Sequence, residues 1–125
     1  LIEIYGLDGT LIKRLQGPDY FFTYFKEVHN GEVVTSSPDT NRLRDAYFSP
    51  CNIGDSFLVL YNGNKPMDKS YSYLCKELFG FSWDGIPQTR YLLSDAIFAF
   101  DVDVKHHKIY GISDSPEYHI VEYNY

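Results

Sequence analysis

Long apolar runs are missing from this 125-residue chain. The longest, around Ala96 to Phe100, has the length of a strand and falls far short of the roughly 20 residues that a membrane-spanning helix needs. Basic residues are also few. Eleven Lys and Arg stand against seventeen Asp and Glu, a formal charge of -6, with no basic stripe for a phosphate backbone or an anionic lipid surface. Nucleic acid and membrane surfaces are therefore disfavoured as partners. Cys51 and Cys75 are too few for a disulfide framework and match no zinc spacing, so they read as buried or free thiols, with one bridge as the alternative. Helical periodicity is scarce throughout. There is no initiator Met and no charged, apolar leader, and Leu1 already lies inside a strand pattern, which reads as the start of a fragment of a longer parent.

Aromatic residues make up 18% of the chain, twelve of them Tyr, while 22% is charged; packed sheets suit this balance and disorder does not. A strand-turn-strand unit occurs twice. Leu1 to Gln16 overlays Glu77 to Leu92 without a gap, placing Tyr5 on Phe81, Asp8-Gly9 on Asp84-Gly85, and Arg14 on Arg90. A third copy opens at His119. Repetition of a short β unit marks stacked architectures, because no single unit buries its own apolar faces. Each Asp-Gly pair reads as a two-residue type I′ turn, with the aspartate at the first position of positive φ. The repeated Arg14 and Arg90 read as structural, in an ion pair or stacked on an aromatic ring.

Nine strands are expected: 1–7, 10–16, 45–49, 56–61, 78–83, 88–93, 97–102, 108–112 and 118–123, joined as antiparallel meanders with no helical crossover. Several are apolar on both faces. Leu1 to Leu7 offers only Glu3 to solvent, and Ala96 to Phe100 offers nothing polar, as expected of sheets covered on two sides. The fold class that follows is all-β, built of antiparallel four-stranded blades of a β-propeller, with two to three blades present as a partial propeller in one domain, 1–125. The approximate blades are 1–16 (partial), 44–93 and 96–125 (partial).

Four segments carry a family resemblance: LIEIYGLDGTLIKRLQGPDYFFTYFKE, RDAYFSPCNIGDSFLVLYNG, ELFGFSWDGIPQTRYLLSDAIFAFDVD and KIYGISDSPEYHIVEYNY. In order and spacing, over nearly the whole chain, they resemble the C-terminal part of TolB-like six-bladed β-propeller proteins from Bacteroidetes. The resemblance implies an exported, periplasmic or cell-envelope protein, often a lipoprotein, and no defined reaction. It also implies that most of the ring lies elsewhere. The expected partners are accordingly the remaining blades of the parent chain or a second copy of this one, since exposed blade faces and strand edges recruit another chain.

In a meander the short turns share one end and the long connections the other. The long segments, 17–44 and 62–76 with 113–117, carry the candidate binding residues Tyr24, His29, Arg42, Arg44, Tyr71 and Tyr73, of the types that anchor recognition surfaces. Their ligand would be a protein, peptide or glycan. Apparent chemistry elsewhere is weaker. Asp101, Asp103, His106 and His107 read as a polar hairpin turn, because neighbours on a strand point to opposite faces. Ser36, Ser37, Asp39 and His29 supply the residue types of a triad without a nucleophile elbow. Trp83 reads as sheet packing. No catalytic residue, metal or cofactor is assigned, and a non-enzymatic binding module is expected. The alternative is a propeller hydrolase or lyase with a metal in a central channel.

Overall fold

The computed structural model describes residues 1–19, 21–66 and 72–125. Among them are eleven strands and no helix: β1 (Ile2–Tyr5), β2 (Leu11–Leu15), β3 (Phe25–Asn30), β4 (Val33–Pro38), β5 (Tyr47–Asn52), β6 (Ser56–Tyr61), β7 (Cys75–Ser82), β8 (Pro87–Ile97), β9 (Ala99–Asp103), β10 (Lys108–Ser113) and β11 (His119–Asn124). The protein is all-β, with antiparallel sheets of two to four strands. Strands β5-β6-β7-β8 form a four-stranded meander, β9-β10-β11 a three-stranded one, and β1-β2 and β3-β4 are two-stranded. The described residues do not close into a ring.

Two strands exceed the nine expected, and both come from a segment read as loop. Residues 25–38 pair Phe25 with Pro38 through Asn30 with Val33, turning at Gly31, whose φ of 65° needs no Cβ. Strand β8 also continues to Ile97, four residues past its expected end.

The two Asp-Gly turns are alike but are not type I′. Gly6 N–H donates to Thr10 O (2.8 Å) and Gly9 N–H to Gly6 O (2.9 Å); Ser82 N–H donates to Ile86 O (3.0 Å) and Gly85 N–H to Ser82 O (2.9 Å). Only the glycines have positive φ, 82° and 76°. Each is therefore a type I turn closed by a left-handed glycine. Local hydrogen bonds favour this form: Thr10 N–H and Oγ1 both donate to the Asp8 carboxylate (3.0 and 2.9 Å), and Ile86 N–H donates to Ser82 Oγ (3.1 Å).

Sheet β5–β8 is covered on both faces. On one side Ile4 and Leu15 of the first hairpin pack with Phe57, Val59 and Phe81. On the other, Leu58, Leu60, Leu78, Leu93 and Ile97 pack with Ile109 of the three-stranded sheet. This explains why Phe57 through Tyr61 are all buried, leaving no polar face to alternate. Gly111 permits the close approach of the sheets, since a Cβ there would lie 2.8 Å from Ile97 Cδ1. The repeated arginines lie across the strands. Arg14 Nε reaches Glu3 Oε1 at 2.7 Å, and Arg90 Nε reaches Glu77 Oε2 at 2.9 Å while its guanidinium carbon sits 5.8 Å over the Phe79 ring.

The two-sided core predicts an asymmetry measurable by urea unfolding. Leu60→Ala, at a residue with 0% exposure, is expected to cost about 2–5 kcal/mol. Val34→Ala, on the exposed β3-β4 ribbon, is expected to stay within about 0.5 kcal/mol.

Candidate functional site

The long connections meet at one end of the sheets, and side-chain contacts fasten them there. Tyr61 closes β6, and its hydroxyl donates to Asp19 Oδ2 at 2.5 Å, drawing in the chain that follows β2. Asn62 comes next and is buried and held by three hydrogen bonds: its N–H donates to Ala46 O (2.8 Å), its Nδ2 to Ser72 O (2.7 Å), and its Oδ1 accepts from Asn64 N–H (3.0 Å). Arg44 Nη1 donates to Gly63 O at 3.0 Å and Asp45 N–H to Asn64 O at 3.0 Å. The turn 62–64 is thus held from both sides. Beside it opens a cleft of about 510 Å³ lined by Asp19, Tyr61, Asn64, Ser72, Lys76 and Glu77, with Leu74, Cys75 and Ala96 among its apolar walls.

The cleft is bordered by perturbed phenols and a perturbed thiol. Burial, then the Asp19 hydrogen bond, pushes the Tyr61 phenol well above its usual range. Burial, with Asp19 nearby, pushes Tyr47 up to about 12. Tyr47 Oη is buried and finds no hydrogen-bond partner among the described residues, its ring 5.3 Å from that of Tyr61. Burial, then the Asp45 charge, pushes the Cys75 thiol up to about 11. Each group stays neutral at ordinary pH, so they offer hydroxyl and thiol groups rather than a nucleophile. Both Cys51 and Cys75 are unbridged.

Of the sequence candidates, the structure joins Tyr24 and Arg42: the guanidinium carbon lies 3.2 Å from the ring centroid. A turn makes this pair, with Asp39 N–H donating to Tyr24 O (2.7 Å) and Arg42 N–H to Asp39 O (2.9 Å). Arg44 supports the cleft from behind. The Tyr73 hydroxyl donates to Asp114 Oδ2, and its ring lies 6.0 Å from Phe98. His29 stands apart on β3, with Nε2 3.6 Å from Glu27 Oε2. Tyr71, like Tyr20, lies outside the described residues. Asp19, Tyr61, Asn62 and Asn64 escaped the sequence reading. The signal for the last three was present in the polar Tyr-Asn-Gly-Asn run that ends the most apolar strand.

The acidic and His-rich turn is occupied by structural contacts. His106 Nδ1 lies 2.6 Å from Asp103 Oδ2, the Asp101 carboxylate accepts from Val102 N–H (2.8 Å) and Cys51 Sγ (3.4 Å), and the His107 ring packs on Tyr125. Among the described residues no three His, Cys, Asp or Glu gather as a ligand set. Trp83 donates from Nε1 to Gly54 O at 2.8 Å and packs on Phe57, tying two short turns together at the opposite end.

Compared with known protein families, with curated proteins and with solved structures, the chain matches none.

Cys75 gives the site a pH signature. Its thiol ionises near 9.0 when unfolded and near 11 when folded. The unfolded state therefore sheds its proton first, and the stabilisation is complete below pH 9.0 and lost as pH climbs toward about 11. Urea midpoints of the wild type are expected to fall across that window, and those of Cys75→Ala to fall less. Equal slopes would remove the thiol as the cause.

Proposed function

We propose that this chain is a non-enzymatic β-propeller binding module of the TolB-like six-bladed type, part of a larger exported protein of the periplasm or cell envelope. It engages a protein, peptide or glycan at its loop-rich end. The observation that supports this reading is the convergence of long connections, carried by stacked antiparallel sheets, on one cleft with two carboxylates, amides, hydroxyls and an ammonium on its rim. Such a rim hydrogen-bonds sugar hydroxyls or peptide groups, and the rigid sheets beneath hold it in place. Burial keeps the nearby Tyr61 phenol and Cys75 thiol neutral, so neither is an activated nucleophile. The Tyr24–Arg42 pair and Tyr73 add recognition-type side chains on the same connections. Remaining blades of a parent chain, or a second copy, complete the assembly.

Immobilised glycan and peptide panels probed with the intact protein test this reading. Asp19→Asn is expected to weaken whatever is captured by about tenfold or more, since a hydrogen bond to a charged group is worth about 1.5–3 kcal/mol. Binding unchanged in the variant would exclude the cleft, and a stoichiometric divalent ion in the purified protein would favour the hydrolase or lyase alternative.

A further inference from the structure

Independently of the cleft, we propose that Asn30, at the tip of the β3-β4 ribbon, is a site of covalent self-modification. Its side-chain amide is attacked by the backbone nitrogen of Gly31, and the residue ends as a mixture of aspartate and isoaspartate.

The chemistry belongs to an Asn or Asp followed by Gly, where no side chain shields the next backbone nitrogen. Hydroxide removes the proton from the Gly nitrogen, which forms a bond to the Asn Cγ; the Cγ–Nδ2 bond breaks, and the nitrogen leaves as ammonia after taking a proton back from water. Water then opens the five-membered imide at either carbonyl. One opening leaves an ordinary aspartate, and the other routes the main chain through the side-chain carbon. In sum one water is consumed and one ammonia released, with nothing oxidised or reduced.

The chain has four such steps, Asp8-Gly9, Asn30-Gly31, Asn62-Gly63 and Asp84-Gly85, and the structure restrains three of them. In both Asp-Gly turns the attacking nitrogen is engaged, since Gly9 N–H donates to Gly6 O and Gly85 N–H to Ser82 O, each at 2.9 Å. The Asp8 carboxylate also accepts from Thr10 N–H and Oγ1, while Gly85 is packed against Lys13 and Leu15 of β2. Asn62 is 3% exposed and its amide is tied at both atoms, to Ser72 O and to Asn64 N–H. Its Cγ swings onto Gly63 N only after both bonds break. Asn30 has neither restraint: among the described residues no hydrogen bond holds its side chain or uses Gly31 N–H. Both residues are exposed, and a Cβ built on Gly31 would meet nothing within 4 Å, so hydroxide and water reach the reacting atoms.

The position gives the reaction a local effect. Asn30 pairs with Val33 to close the ribbon, and isoaspartate lengthens the backbone at that rung. Either product places a new carboxylate two residues from Glu32 on a chain already at -6. Neither apolar core includes a side chain of the ribbon, so both are left as they were.

The intact protein, kept folded in mildly alkaline buffer, is sampled over time, digested and read by mass spectrometry, with isoaspartate identified by labelling with an isoaspartyl methyltransferase. The peptide bearing Asn30 is expected to gain about one dalton and split into two species, while the Asn62 peptide lags by about tenfold or more, the effect of having two hydrogen bonds to break first. In urea the two are expected to react at similar rates, which assigns the difference to the fold. Asn30 intact in the folded protein while it reacts in urea would overturn the proposal, as would Asn62 or either Asp-Gly step keeping pace with it.

Discussion

Burial of β6 from both sides is the constraint on which the rest depends. Its five residues from Phe57 to Tyr61 have no solvent face, so the sheet they centre is stable only with the first hairpin on one side and the three-stranded sheet on the other. Sheets packed this closely need small residues where side chains would collide. Gly111 leaves room for Ile97 of the neighbouring sheet, while within the four-stranded sheet Gly80 leaves room for its cross-strand neighbours Thr89 and Leu58. The same rigidity fixes the cleft. Tyr61 ends the most immobilised strand, and the turn that follows inherits its position through Asn62.

The repeated unit shows how one backbone pattern accommodates different chemistry. Arg14 lies directly across from Glu3, whereas Arg90 lies directly across from Phe79 and reaches diagonally to Glu77. Both pairs are exposed, and ion pairs in water contribute little to stability. What they preserve is the cover over the apolar stem and ring beneath. The Asp-Gly turns behave likewise: one is braced by its aspartate, the other by Ser82.

Much of the architecture was legible because it is written in short apolar, aromatic-rich runs separated by Gly turns. The meander order and the absence of crossovers among the described residues follow from residue types, whereas the two-sided cover expected of Leu1 to Leu7 is not found there, since Leu1, Tyr5 and Leu7 are exposed and β1 packs by one face only. The turn type was not. Asp-Gly serves both type I′ turns and type I turns closed by glycine, and only the side chains of Asp8 and Ser82 decide between them. The β3-β4 ribbon escaped although Asn30-Gly31 announces a hairpin, because Glu27, His29, Ser36 and Ser37 blur the alternation that would identify its strands. The cleft was legible only as a set of long connections. Asp19 meets Tyr61 across 42 positions, and Arg42 meets Tyr24 only once the ribbon between them has closed.

That ribbon has an architectural consequence. No residue of β3 is buried, and β4 offers only Ser37 even partly to the interior. Its ladder is satisfied within itself, and neither apolar core includes any of its side chains. The segment is therefore an appendage to the packed body: lengthening, trimming or exchanging it leaves both apolar cores untouched.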